Sequence, residues 1–141
     1  MNVLFLCTGN SCRSQMAEGW GRALGNHRIR FFSAGIEKHG LNECAVQVMA
    51  ERGIDISQHQ SKTLENLKEV EFDLIYTVCS HADQTCPSFS GSVRVIHVPF
   101  DDPPNMPVIG DDSLFHYRRV RDQIGQFVAE LPDNIEETLA K

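Results

Sequence analysis

The chain has 141 residues, 41% hydrophobic and 23% charged, with a formal net charge of −6. That length supports a single domain, residues 1–141, with a real core and no disulfide staples. The acidic balance argues against generic binding to nucleic acid or anionic lipid, which calls for a basic face.

Strand-like and helix-like segments alternate. Val3–Leu6 reads as a buried strand and Ser14–Leu24 as a helix, with Ser14 near its start and Gly25 just past its end. Arg30–Ser33 is a second strand. Leu41–Arg52 carries Leu41, Cys44, Ala45, Val48 and Met49 on one helical face, with Asn42 as a cap and Gly53 as a stop. Leu64–Val70 is a short, weak helix; Asp73–Val78 and Val93–Val98 are strands. Pro99, Pro103, Pro104 and Pro107 make the segment after Val98 a loop. Leu114–Leu131 is the longest helix, ended or kinked by Pro132, with a short helical tail after it. The order implies an α/β domain with a four-stranded, mostly parallel sheet flanked by helices in three layers. Ligands in such folds bind beyond the carboxyl ends of the strands.

No apolar run approaches the ~18 residues of a membrane span, and the N-terminal apolar stretch is too short for a signal core. A cytoplasmic location is expected. Thiols stay reduced there, so Cys7, Cys12, Cys44, Cys79 and Cys86 call for something other than a structural disulfide framework.

Three strand-end loops carry the chemistry. In the first, Cys7-Thr-Gly-Asn-Ser-Cys-Arg13-Ser14 joins a strand to a helix. Backbone N–H groups of Thr8, Gly9, Asn10, Ser11, Cys12, Arg13 and Ser14 can converge on a tetrahedral oxyanion, helped by the helix N-terminus. Arg13 adds a planar fork for two oxygens. The same field is expected to lower the pKa of Cys7 and make it the nucleophile, with Ser14 in reach to hydrogen-bond the thiolate. A buried strand-end cysteine before an ordinary helix is the bland alternative; the Cys-x5-Arg-Ser spacing at such a junction argues against it.

In the second loop Cys79 and Cys86 are seven residues apart. In a regular helix that is roughly 10 Å along the axis, against about 4.4–6.8 Å between the Cα atoms of a disulfide. Any helix between them must unwind if they join. Two unrelated thiols remain an alternative, and Cys79, His81 and Cys86 match no common zinc spacing. In the third loop Asp102-Pro103 follows a strand, where a carboxylic acid is able to protonate an oxygen leaving group; a plain Asp-Pro turn is the other reading. Cys44 is expected in the core, Trp20 and the phenylalanines likewise, and the histidines are assigned no role.

The stretch CTGNSCRS resembles the Cys-x5-Arg loop of low-molecular-weight protein tyrosine phosphatases. The longer CTGNSCRSQMAEGW is similar to the arsenate reductases built on that fold, and Cys79-x6-Cys86 resembles the redox segment of the thioredoxin-coupled class. Those phosphatases typically carry proline where this chain has Gln15. The resemblance implies reduction of arsenate to arsenite: Cys7 attacks arsenic, Arg13 and the loop bind the anion, Asp102 is the acid. A Cys7–Cys79 disulfide forms as an intermediate and a Cys79–Cys86 disulfide at the end, which thioredoxin reduces. Phosphate is expected as a competing anion, no metal or organic cofactor is implied, and Cys12 is at best a reserve thiol. Some relatives hold potassium at positions matching Asn10, Glu18 and Ser33, with an aspartate where this chain has Lys62; the ammonium is expected to replace the ion. A phosphotyrosine phosphatase, needing Cys7, Arg13 and Asp102 alone, and a non-enzymatic redox or arsenic sensor remain alternatives.

Overall fold

The computed structural model describes residues 1–25, 28–79, 93–108 and 110–140, with side chains described as far as residue 131. Cys86 therefore lies outside the described residues. Four strands, β1 (Asn2–Cys7), β2 (Arg30–Gly35), β3 (Leu74–Thr77) and β4 (Arg94–His97), form one parallel sheet in the order β2-β1-β3-β4. Central β1 pairs on both sides, Leu6 opposite Ala34 and Thr77. It is buried from Val3 to Cys7, which is why its sequence is a continuous apolar run and not an alternating one.

Among the described residues three helices, α1 (Arg13–Leu24), α2 (Glu43–Ala50) and α3 (Phe115–Ala140), pack on one another, with α1 lying on β1 and β2. Phe5 stacks between Phe31 and Tyr76, at 5.9 and 6.0 Å between ring centres, and Tyr76 meets Phe127 of α3 edge-on at 5.2 Å. Such offset and edge contacts add to area burial. Trp20 of α1 lies against Gly125 of α3, where a Cβ would sit 2.6 Å from the indole, and its Nε1 donates to Arg121 O at 3.0 Å. Buried Arg121 ties α3 to α2 through Val48 O (2.9 Å) and Glu51 (2.8 Å).

Several boundaries differ from the sequence expectation. α1 starts at Arg13 after Cys12, with no side-chain cap, so the loop before it keeps its N–H groups for another acceptor. Asn42 caps α2 as expected, accepting from the N–H groups of Cys44 and Ala45. Residues 64–67 form only a 3₁₀ turn. Cys44 is half-buried and not a core residue; Ala45, Val48 and Met49 carry that face. Pro132 does not end α3, whose backbone continues to Ala140. A proline removes one helical N–H and crowds the carbonyl four residues back, a local penalty that buried Val120, Ile124, Val128 and Leu131 offset by anchoring the preceding turns. No helix among the described residues is long and apolar enough to cross a membrane.

Candidate active site

The strand order places β2 on one side of β1 and β3 with β4 on the other, so the chain changes direction of growth at β1. The crevice at the carboxyl ends of β1 and β3 is the binding position such a reversal creates. Cys7 ends β1 there, and Cys79 follows β3.

The loop from Cys7 to Arg13 is turned so that its carbonyls face away from that crevice. Cys7 O accepts from Ile36 N–H (3.1 Å), Thr8 O from Glu37 (2.9 Å), Gly9 O from His39 (3.0 Å), Ser11 O from Asn42 (2.9 Å) and Cys12 O from Met16 (2.9 Å). Asn10 O accepts from Gln15 Nε2 at 3.2 Å. With every carbonyl engaged behind the loop, the N–H groups are presented on the other side. Asn10 takes the left-handed conformation, φ 50°, which asparagine tolerates better than most residues. Gly35 lets the loop close on β2: a Cβ there would overlap Glu37 O and lie 2.8 Å from Asn10 N and Thr8 O.

In front of the loop is a cavity of about 430 Å³ lined by Cys7, Thr8, Gly9, Ser11, Cys12 and Arg13, with His39, Asp102, Pro104 and Asn105 completing the wall. Asn10 and Ser14 are wholly buried behind it. Arg13 donates from Nη1 to Phe100 O at 3.0 Å, and its Nη2 stands 3.5 Å from Asp102. Its Nε is buried with no partner among the described residues. A guanidinium donor left this way fits an acceptor supplied by a ligand.

Cys7 and Cys79 are in hydrogen-bond contact, and Thr8 Oγ1 lies 3.1 Å from the Cys79 sulfur. This arrangement reverses the expected pKa of Cys7, which is held well above its ordinary value. The hydrogen bond shared with Cys79 is the main cause and burial the second, while Arg13 and the Thr8 N–H act in the opposite direction. The shift belongs to the pair: full ionisation would set two thiolates side by side. Burial pushes Cys12 up to about 12, with Asp102 adding to it, so Cys12 stays a thiol. Ser14 is engaged as the acceptor for Asn10 Nδ2 at 2.9 Å, and no bond from it to Cys7 is formed among the described residues.

Beneath the cradle lies a polar floor the sequence reading only partly anticipated. Gln15 Nε2 donates to Asn10 Oδ1 (2.9 Å) and Gln60 O (3.0 Å), and its Oε1 faces His59 Nδ1 at 3.0 Å. Lys62 N–H holds Asn10 Oδ1 at 2.8 Å. The Lys62 ammonium reaches Glu18 (3.2 Å), Ser33 Oγ (3.4 Å) and Gln60 O (3.4 Å), while Ser33 donates to Glu18 at 2.8 Å. Glu18 is 2% exposed, and a buried carboxylate needs such a partner. Because the ammonium already sits among Glu18 and Ser33, these residues do not fit a potassium ion. His59, like His39, drew no role from the sequence. The signal for His39 was its position in HGLN four residues past the end of β2; that for His59 was only its proximity to Lys62.

The low molecular weight phosphotyrosine protein phosphatase family profile matches residues 2–141. The chain belongs to that family. Within it, the chain is similar to Arsenate reductase 2 of Staphylococcus saprophyticus, 46% identical over 132 residues that make up 94% of this chain and 96% of the relative. A solved arsenate reductase in the phosphate binding state superposes with a TM-score of 0.75 at 31% identity, covering 95% of this chain and 98% of that one. An arginine phosphatase from Geobacillus stearothermophilus shares the fold, with a TM-score of 0.77 at 22% identity over 97% and 94% of the two chains. The fold is thus common ground between two chemistries, and the residues of the site must discriminate.

Proposed function

We propose that this protein reduces arsenate to arsenite in the cytoplasm, with thioredoxin as the final electron donor. The observation that carries the reading is the second thiol: Cys79 in hydrogen-bond contact with Cys7, which lines the oxyanion cradle. A phosphatase has no use for it.

The cradle N–H groups and Arg13 hold the arsenate. Cys7 attacks arsenic, forming an S–As bond as one As–O bond breaks, and Asp102 gives its proton to the departing oxygen. Cys79 then attacks the Cys7 sulfur. The S–S bond forms, the S–As bond breaks, and its electron pair stays on arsenic, which leaves as arsenite. Cys86 attacks Cys79, returning Cys7 to the thiol state and leaving a Cys79–Cys86 disulfide. The dithiol of thioredoxin reduces that disulfide. The two electrons come from protein thiols, so the reaction balances with no resident cofactor. Phosphate, with the same shape and charge, competes for the cradle.

The test is NADPH oxidation coupled through thioredoxin reductase and thioredoxin. Arsenate-dependent turnover is expected, inhibited by phosphate. Hydrolysis of an aryl phosphate at a high rate, with no arsenate-dependent oxidation, would establish the phosphatase instead.

We assign the Lys62 ammonium the place that a potassium ion takes in some relatives. The Michaelis constant for arsenate should then be the same in potassium and sodium salts at equal ionic strength. Lys62→Asp should create a potassium dependence of several-fold, as a second carboxylate beside buried Glu18 demands a cation. Strong potassium dependence in the unmodified protein would overturn the assignment.

A further inference from the structure

The segment after β2 is zipped to the back of the cradle. Ile36, Glu37 and His39 donate in turn to the carbonyls of Cys7, Thr8 and Gly9. The His39 imidazole is thereby laid against Gly9, where a Cβ would overlap Nδ1 and lie 2.8 Å from the histidine Cβ. The ring forms part of the cavity wall. Its Nε2 stands 2.8 Å from the Glu37 carboxylate. A carboxylate accepts only from N–H, so Glu37 keeps one proton on Nε2. Nδ1, the ring atom that a side chain at position 9 would strike first, is then bare in the neutral ring and a charged donor in the imidazolium.

The charges around the cavity give this a consequence. Arg13 is its one permanent cation among the described lining residues, and Asp102 stands 3.5 Å from it. A doubly charged oxyanion entering between them lacks a second positive partner unless His39 is protonated. The other titratable groups here are Glu37, paired with the ring, Lys38 next to it in sequence, and Cys7, Cys12, Arg13 and Asp102, which line the same cavity.

We propose that Glu37 and His39 form a proton-coupled oxyanion-binding element, His39 taking a proton from solvent as a tetrahedral dianion binds and donating from Nδ1 to its outer oxygen. The assignment rests on the cradle being an oxyanion site. The side chain is 49% exposed, so solvent supplies the proton directly. The expected kinetic signature is on substrate binding and not on the bond-breaking steps.

Sulfate tests this, because it stays a dianion throughout the range in which imidazoles titrate. Binding is measured by calorimetry in Cys7→Ser protein, which removes the reactive thiol from the titration. Sulfate affinity should fall about tenfold from pH 5.5 to 8.5, with proton uptake seen as a dependence on buffer ionisation enthalpy. In Cys7→Ser/His39→Gln both effects should vanish. With Cys7 present, His39→Gln should raise the Michaelis constant for arsenate about tenfold and change kcat less than threefold. An unchanged pH dependence in the His39→Gln protein would overturn the role of His39 while leaving the cradle standing. No sulfate binding in any variant at any pH would overturn the oxyanion site and this assignment with it. Should His39→Gln unfold, the Cys7→Ser protein itself decides: sulfate binding with no proton uptake between pH 5.5 and 8.5 refutes the assignment.

Discussion

Cys86→Ser protein is expected to release a single equivalent of arsenite and then stop. Its Cys7 and Cys79 should still carry out the first half of the cascade, because they meet at the ends of adjacent strands and need no distant partner. The product is a Cys7–Cys79 disulfide that lacks the thiol to resolve it. Coupled turnover should drop at least about 10³-fold, since removing one member of an obligatory relay removes nearly all of its effect. Cys79→Ser should release no arsenite, because the electron pair held in the S–As bond then has nothing to displace it onto arsenic. Both variants should retain whatever aryl phosphatase activity the unmodified protein has, which depends on Cys7, Arg13 and Asp102. Arsenite quantified in a single turnover, with mass analysis of non-reduced peptides for the cross-link, checks each outcome. Sustained turnover by either variant would exclude the cascade and favour a small external thiol attacking the Cys7 adduct.

Arg13→Lys should be nearly as damaging. Arg13 spends Nη1 on Phe100 O, turns Nη2 toward Asp102 and leaves Nε buried without a partner among the described residues. A lysine is a point charge on a flexible stem: it keeps the sign but not the fork. It cannot hold Phe100 O and two oxyanion oxygens at once. Losing a preorganised donor to developing charge typically costs about 10²–10³ in rate, so kcat/KM for arsenate should fall by about that factor and phosphate affinity should weaken in parallel. Steady-state kinetics and phosphate calorimetry make the test. A change below threefold in both would remove Arg13 from substrate binding.

Much of the cradle was legible because its chemistry is local. Cys7, Gly9 and Arg13 lie on one loop, and a strand-to-helix junction with that spacing has few other uses. The capping of α2 by Asn42 was legible for the same reason. The inverted pKa of Cys7 was not, because its cause, Cys79, is 72 positions away and arrives through strand pairing. The roles of His39 and of Gln15 with His59 were hidden likewise: a histidine shows its function only when the fold brings it to Gly9 or to an amide under the loop. The continuation of α3 through Pro132 escaped a local rule because tertiary packing of the turns before it overrode the proline penalty. The fate of Cys86 rests on sequence alone.

The pairing of β1 with β3 also bears on how such chemistry arises. Each strand leads into the same crevice: Cys7 ends β1, and Cys79 lies two residues past Thr77, the end of β3. The backbone of the anion cradle comes from β1, α1 and the segment behind them, so the position two residues past β3 can change without rebuilding that backbone, although a cysteine there raises the pKa of Cys7. A hydrolase on this scaffold gains an outlet for electrons by changing that one position to cysteine, leaving in place the backbone that grips the oxyanion. Descent with one small edit at a strand end, followed by recruitment of a second thiol, is a short evolutionary path between breaking an ester and changing an oxidation state.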